Sequence, residues 1–367
     1  MPAPGARTAA AAQCLAHGNG TWEPAAPTEP YLIETSRYMP HFNLSSKWWG
    51  VCDDDVRTQL WTPAGPPRRP PRPALGYTWT PRGPGCERFH LPSLQELTSK
   101  FCSRWQNRTL LFVGDSHQAQ MFTSFVHMVG FTASTYSTKD VCWKYKRAGA
   151  GSGAQEVDQR VTLCAEGPLG VLAIFRRNEA LLLDPKENDL RRRRSIGRRA
   201  AMLCDWHLEM PTADFVLLNR GMWRASDDIL RLELNATFAQ MARTYQVTSL
   251  AERVLYRSTF GTIDDCSMHP DPISDEEARA LVRKQASSHR DPYERGKIEH
   301  QNGVAHEVAS TYGIPFWDIY PATVTRTGGR RFANGSKAIA DCGHFCLPGP
   351  PDELTRELLA YLITFRN

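Results

Sequence analysis

The chain has 367 residues, of which 41% are hydrophobic and 23% charged. That is too apolar for a disordered chain, and long enough for one large domain or two smaller ones. A net charge of +5, from 44 basic against 39 acidic residues, leaves a nearly balanced surface and argues against a dedicated nucleic-acid binder.

In chain order, residues 1–16 carry an alanine run at 9–12 but no bulky apolar stretch, so no signal peptide is read there. No apolar run reaches about 18 residues, so no membrane span is expected. Two counts nevertheless point to the secretory pathway. The ten cysteines are Cys14, Cys52, Cys86, Cys102, Cys142, Cys164, Cys204, Cys266, Cys342 and Cys346. Five of the ten asparagines, Asn19, Asn43, Asn107, Asn235 and Asn334, head glycosylation sequons, where about one would arise by chance. Together they imply an oxidising lumen, with a leader lying upstream of this chain.

Residues 1–100 differ from the rest. Prolines cluster between 61 and 85, Pro66, Pro67, Pro70 and Pro71 among them, with Arg68, Arg69 and Arg72 interspersed. Such a stretch is an extended loop and neither a helix nor a central strand. Trp22, Trp48, Trp49, Trp61 and Trp79 surround it. This irregular segment is expected to need disulfides and aromatic contacts to dock it on a main domain at 101–367.

From about residue 100, strand and helix patterns alternate. Apolar runs predict strands at 109–113, 170–175, 215–218, 254–256 and 314–319. Helical patterns follow at 118–129, 230–245, 276–285, 298–312 and 352–363, the last led in by Pro350 and Pro351 with Asp352 and Glu353 in its first turn. Alternation of this kind predicts a three-layer α/β/α sandwich around a central parallel sheet. The arginine run at 191–199 reads as a solvated face, an anionic-ligand patch or a proprotein-cleavage site.

Ligand sites in open α/β sheets lie at the C-terminal ends of strands. Gly114-Asp115-Ser116 stands at such an end, with a helix behind it. The helix N-terminus offers free N–H groups to a developing oxyanion, and Gly114 lets backbones approach closely. The bland alternative is a chain turn with a helix cap. Near the C-terminus, Asp341 precedes His344 by three residues, a spacing that lets a carboxylate orient an imidazole whose other nitrogen faces a serine. Cys342 and Cys346 flank that histidine; they would clamp the loop if bridged, or serve with it as metal ligands, although their spacing is tighter than zinc sites use. Asp341 can alternatively cap the final helix. A third element, Asn219-Arg-Gly221-Met-Trp223, ends a strand; its Asn amide and Gly N–H suit an oxyanion hole, and equally suit a plain Asn turn.

These three blocks in this order resemble the PC-esterase family, a branch of the SGNH/GDSL hydrolase-like fold that includes the trichome-birefringence-like polysaccharide O-acetyltransferases. Asp341-Cys-Gly-His344-Phe-Cys346-Leu-Pro348-Gly349 is similar to the family's Asp-Cys-x-His-Trp-Cys-Leu-Pro-Gly signature. Cys14 with Gly20-Thr-Trp22, and the stretch from Tyr77 to Cys86, resemble its cysteine–tryptophan segment. Two departures stand out: Ala119-Gln120 replaces an Arg-Asn pair, and Met222 replaces a histidine.

The resemblance implies Ser116 as nucleophile, His344 as base, Asp341 as orienting acid, and Gly114, Asn219 and Gly221 as oxyanion-binding candidates. It further implies an SGNH-like catalytic domain and an O-acyltransferase acting on a cell-wall or secretory-pathway polysaccharide through an acyl-serine. A carbohydrate esterase of the same fold and a non-catalytic glycan-binding module are the alternatives. The partner would be a polysaccharide or oligosaccharide acceptor in the Golgi lumen or outside the cell, with no bound cofactor beyond an acyl donor. By the same comparison Cys14 would pair with Cys86, Cys266 with Cys342 and Cys52 with Cys346. Cys142 and Cys164 are left to bridge neighbouring segments or to stay as buried thiols.

Overall fold

The computed structural model describes residues 4–25, 76–86, 91–136, 142–144, 159–164, 170–182, 202–222, 226–287, 294–332, 340–347 and 349–364. The N-terminal part forms helix α1 (Pro4–His17), strands β1 (Gly20–Pro24) and β2 (Tyr77–Pro81), and helix α2 (Leu94–Trp105). Then come β3 (Thr109–Gly114), α3 (Ser116–Val129), β4 (Phe131–Tyr136), β5 (Cys142–Lys144), β6 (Gln159–Leu163), β7 (Val171–Arg177), β8 (Met202–Cys204) and β9 (Phe215–Leu218). The C-terminal part holds α4 (Asp227–Tyr245), β10 (Val254–Arg257), α5 (Asp275–Ala286), α6 (Ile298–Thr311), β11 (Phe316–Trp317), α7 (Tyr320–Val324), β12 (Arg330–Phe332), β13 (Ala340–Phe345) and α8 (Pro350–Thr364).

Seven strands make the central sheet in the order β11-β10-β9-β3-β7-β6-β4. The five from β11 to β7 are parallel, as expected from strands separated by helices. At the far edge, β6 runs antiparallel to both β7 and β4, which the apolar runs did not predict. Strand β6, next to the edge strand β4, alternates polar with apolar residues, Val161 and Leu163 buried and Arg160 and Thr162 half-buried, so no continuous apolar run marks it.

Alternation along β3 divides the core. Leu110 and Phe112 join the layer formed with α1, α2, α3 and α8, while Leu111 and Val113 join the layer with α4 and α6. Every residue from Leu110 to Gly114 is buried, as a strand covered on both faces requires. Helix α2, absent from the sequence reading, starts at the cap Ser93, whose hydroxyl accepts from Glu96 N, and buries Leu97, Phe101 and Trp105. It crosses residue 100.

The described N-terminal residues lie against the main layers. The antiparallel pair β1–β2 sets Trp22 against Trp79 at 5.3 Å, and Trp22 Nε1 donates to Ala322 O at 2.8 Å. Cys14 is bonded to Cys86, tethering α1 to the stretch after β2. The prolines from 61 to 75, Trp48, Trp49, Trp61 and the arginine run at 191–199 lie outside the described residues. No helix among the described residues is long and apolar enough to cross a membrane.

Candidate active site

Strand β3 is the middle of the seven-stranded sheet, with β7 on one side and β9 on the other, so its C-terminal end opens at the point where the chain switches sides of the sheet. The turn there is tight. A Cβ on Gly114 would lie 2.7 Å from Asn219 O and 2.7 Å from Gln118 Cβ, so only glycine lets the ends of β3 and β9 close up. Asp115 caps α3, its Oδ1 accepting from His117 N at 2.9 Å. Ser116 is the first residue of the helix and is half-buried.

The strand β13 comes to meet it. His344 Nε2 lies 2.7 Å from Ser116 Oγ, and His344 Nδ1 lies 2.9 Å from Asp341 Oδ2. Gly343 N donates to the other Asp341 oxygen at 3.1 Å. An Nδ1–H bonded to the carboxylate leaves Nε2 as a lone-pair acceptor for the serine proton. Of the two roles open to Asp341, cap or orienting group, these contacts match the second. The turn into α8 is served by Asp352, whose Oδ2 accepts from Gly349 N. The Asp341 side chain keeps 30% exposure and that of His344 13%, so the pair borders solvent.

The β9 end supplies the third wall. Gly221 has φ of +77°, and a Cβ on it would fall 2.0 Å from Asp115 Oδ2. Both the left-handed backbone and the closeness to the carboxylate demand glycine. Asp115 Oδ2 accepts from Met222 N at 3.2 Å, so one carboxylate ties the serine turn to the 219–222 loop. Asn219 N donates to Val113 O and Arg220 N to the Tyr256 hydroxyl. Among the described residues, this accounting leaves the Gly221 N–H of the loop, and the Ser116 N–H of the helix start, without a partner. Two donors are thus free beside the serine.

Asn219 is brought to the same strand end, but its side-chain amide nitrogen donates to Arg257 O at 3.2 Å and Thr259 Oγ1 at 3.3 Å. It thereby holds β9 to the residues after β10. Gly114 enters as a close-approach position, and its carbonyl accepts from Asn178 N.

Buried charge underlies the turn. Burial pushes the Asp115 carboxyl up, but His117, Arg257 and the N–H groups of Met222 and His117 outweigh it and leave it below the usual carboxylate range. Arg257, fully buried, is pulled down to about 9 by burial and keeps Asp115 as its counter-charge. Its Nε donates to Gln118 Oε1 at 3.0 Å. Behind the base, Arg330 stacks on Phe345 at 3.5 Å and donates to Gly261 O and Thr323 O. The sequence reading singled out none of Asp115, Arg257 or Arg330. Asp115 had a signal, since an Asp before a helix start caps it; Arg257, at the end of an apolar run, and Arg330, beside Arg331, stand in no spacing that marks a site.

The disulfide Cys266–Cys342 fastens β13 next to Asp341, and Cys346 is also disulfide-bonded. Neither cysteine is a thiolate, which removes the metal-ligand alternative for Cys342, His344 and Cys346. Cys52, the expected partner of Cys346, lies outside the described residues. The pairing of Cys142 with Cys164 is overturned, as is the free-thiol reading of Cys164, because Cys164 is bonded to Cys102. Spacing along the chain cannot show that the last turn of α2, the helix leading into β3, faces the end of β6. Cys204, also bonded, sits opposite Cys142 in the β5–β8 ladder. Of the five sequons, Asn19, Asn107 and Asn235 are exposed; Asn43 and Asn334 lie outside the described residues.

A family model described as the PC-esterase, a GDSL/SGNH-like acyl-esterase family found in Pmr5 and Cas1p, matches residues 91–361. No curated protein matches the chain.

Proposed function

The chain belongs to the PC-esterase family of GDSL/SGNH-like acyl esterases, and from that premise we propose that it moves an acyl group, acetyl by resemblance, onto a polysaccharide hydroxyl through an acyl-serine at Ser116. The observation that carries the reading is the contact chain from Ser116 Oγ through His344 to Asp341, at 2.7 and 2.9 Å. His344 Nε2 takes the serine proton as Oγ attacks the donor carbonyl. The Ser116 and Gly221 N–H groups receive the oxyanion, and His344 returns the proton to the leaving group. An acceptor hydroxyl, deprotonated by His344, then attacks the acyl-serine; the acyl C–Oγ bond breaks, and His344 returns the proton to Oγ, restoring the enzyme. Asp341 holds the imidazole in the tautomer that both half-reactions need.

A second reading, a carbohydrate esterase, has water as the acyl acceptor. The exposed edge of the site favours it, since water reaches a histidine and an aspartate that are 13% and 30% open. A purely glycan-binding role has less support, because a binding module has no use for a serine within bonding distance of an oriented imidazole. Three disulfides among the described residues support an oxidising compartment, Golgi lumen or extracellular.

The test is a chromogenic acetyl ester incubated with and without an oligosaccharide acceptor, with products read by mass spectrometry. Acetylated oligosaccharide supports transfer, and free acetate alone supports hydrolysis. Release in neither arm, or full release by the Ser116→Ala variant, defeats the nucleophile assignment.

A further inference from the structure

The strand that carries the base has little ladder of its own where His344 sits. β13 pairs with β12 through Phe345 opposite Arg330 and Asp341 opposite Arg331, with a register shift between those two arginines. Residues 342–344 therefore bulge out of the pairing, and an unpaired bulge does not by itself fix a side chain to catalytic tolerance.

Beside the Cys266–Cys342 link at the start of the bulge, what grips it comes from the helix of the serine. His117 Nε2 lies 2.7 Å from Gly343 O. Gln120 takes Phe345 twice, Nε2 donating to Phe345 O at 2.6 Å and Oε1 accepting from Phe345 N at 3.2 Å. Ser116, His117 and Gln120 are the first, second and fifth residues of α3; residues four apart share one helix face, so Ser116 and Gln120 turn the same way. His344, with its neighbours Gly343 and Phe345, is thus met by three side chains from just over one turn of α3. Both His117 and Gln120 are fully buried, with 0% exposure, so neither contact is loosened by competing solvent.

We propose that His117 and Gln120 are positioning residues that index the base-bearing strand to the nucleophile's own helix, setting the Ser116–His344 separation independently of Asp341. The inference rests on Ser116 being the nucleophile and His344 the base. Neither side chain touches a reacting atom: His117 meets His344 only edge-to-face, at 5.4 Å between ring centroids.

Their chemistry fits the task. Gly343 O only accepts, so His117 carries its proton on Nε2, and burial keeps the ring neutral by pulling it down to about 3. Phe260 stacks on that ring at 4.7 Å and blocks it from turning. A glutamine amide offers one donor and one acceptor at a fixed spacing, which matches the C=O and N–H of a single residue, Phe345. A glutamate or a lysine offers one sign only.

The experiment uses the full chain, p-nitrophenyl acetate as probe, and folding checked by circular dichroism and thermal melting. In His117→Leu and Gln120→Met, kcat is expected to fall on the order of 10- to 100-fold with KM within about twofold, as misplacement by an ångström does. His117→Gln, which puts an amide donor near the Nε2 position, should recover most of that loss. In the resting protein, the low-field proton resonance of His344 Nδ1–H should broaden or vanish in the first two variants and return in the third. Should those two variants fail to fold, Gln120→Glu carries the test: it keeps the acceptor for Phe345 N, opposes Phe345 O, and is expected to lower kcat in a folded protein. Folded variants with kcat within about twofold of wild type, an unaltered low-field proton, or a His117→Gln variant as impaired as His117→Leu would each overturn the proposal. The resonance is read without substrate, so its outcome stands apart from that of the nucleophile assignment, which the Ser116→Ala variant decides.

Discussion

Two buried regions of this molecule solve the same problem in opposite ways. At the C-terminal end of β3, Asp115 lies 1% exposed yet stays ionised, because Arg257 and two backbone N–H groups face it. At the seam where the N-terminal segment docks, Glu357 is 4% exposed and is pushed up to about 8 by burial and the neighbouring charge of Glu353. One of its two carboxyl oxygens, Oε2, accepts from Trp317 Nε1 at 3.1 Å. A buried acid facing a cation and N–H dipoles keeps its charge; one facing indoles and another carboxylate takes up a proton. The first arrangement orients a site. The second borders a small cavity lined by Cys14, Leu15, Trp79, Asp318, Leu354 and Glu357.

The attachments follow suit. Side-chain bonds to backbone, with the Cys266–Cys342 link, hold β13 at the site, whereas the seam relies on rings, on Thr78 Oγ1 donating to Glu353 at 2.6 Å, and on the Cys14–Cys86 link. Changes at the site are therefore expected to cost turnover, and changes at the seam to cost stability.

The largest effect expected is Asp341→Asn. With the imidazole held in the wrong tautomer, turnover of an acetyl ester should drop on the order of 10⁴-fold while the melting temperature barely moves, the size of loss known for such a change in serine proteases. Turnover within tenfold of wild type would leave a working serine–histidine pair and break the contrast at its strongest point.

Next is the seam's covalent link. Replacing Cys14 and Cys86 together by serine removes a cross-link spanning 72 residues, and denaturant unfolding should show a loss of about 2–4 kcal/mol. Specific activity of the folded fraction should stay near wild type, since the bond touches nothing at the site. A matching fall in kcat would show that the two regions are coupled.

The third effect, a pH dependence, is spread over several pH units and is the smallest within any one of them. Glu357 ionises near 8 in the folded chain against an ordinary value of 4.5, so the native state holds a proton that the unfolded state has lost between those values. Stability then falls as pH rises through that window, by at most about 1.4 kcal/mol per pH unit, and the group adds nothing to the slope above or below it. His117 works the other way, because the unfolded chain binds its proton between about 3 and 6.5, so its share of stability is lost as pH falls below 6.5. Melting temperatures of wild type and Glu357→Gln from pH 5 to 9 separate the two. The Gln variant, neutral at every pH, should flatten the decline above pH 6.5, and curves that stay parallel would show Glu357 to be charged when folded.

Much of this was legible along the chain because it depends on local pattern. The strand at 109–113 was readable from five residues with apolar character on both faces, and the helix at 352–363 from its prolines and first-turn acids; the folded elements extend these by one or two residues only. Ser116, Asp341 and His344 could be picked out since a strand-to-helix turn and a three-residue spacing are visible in one dimension. The chain's residue types also settled that it would fold around a parallel sheet, as runs buried on both faces need helices on either side.

What only the tertiary structure decided are relations between residues far apart in sequence. Gln120 bonding Phe345, Asp115 bonding Met222, Arg257 facing Asp115 and Cys102 joining Cys164 span 225, 107, 142 and 62 positions. None carries a periodic or spacing signal, because a hydrogen bond or disulfide reads distance in space and not along the chain. The turn of the Asn219 amide towards Arg257 O likewise depends on where β10 ends beside β9. Local sequence determines which groups can act, and the packing of β3, β9 and β13 determines which of them face one another.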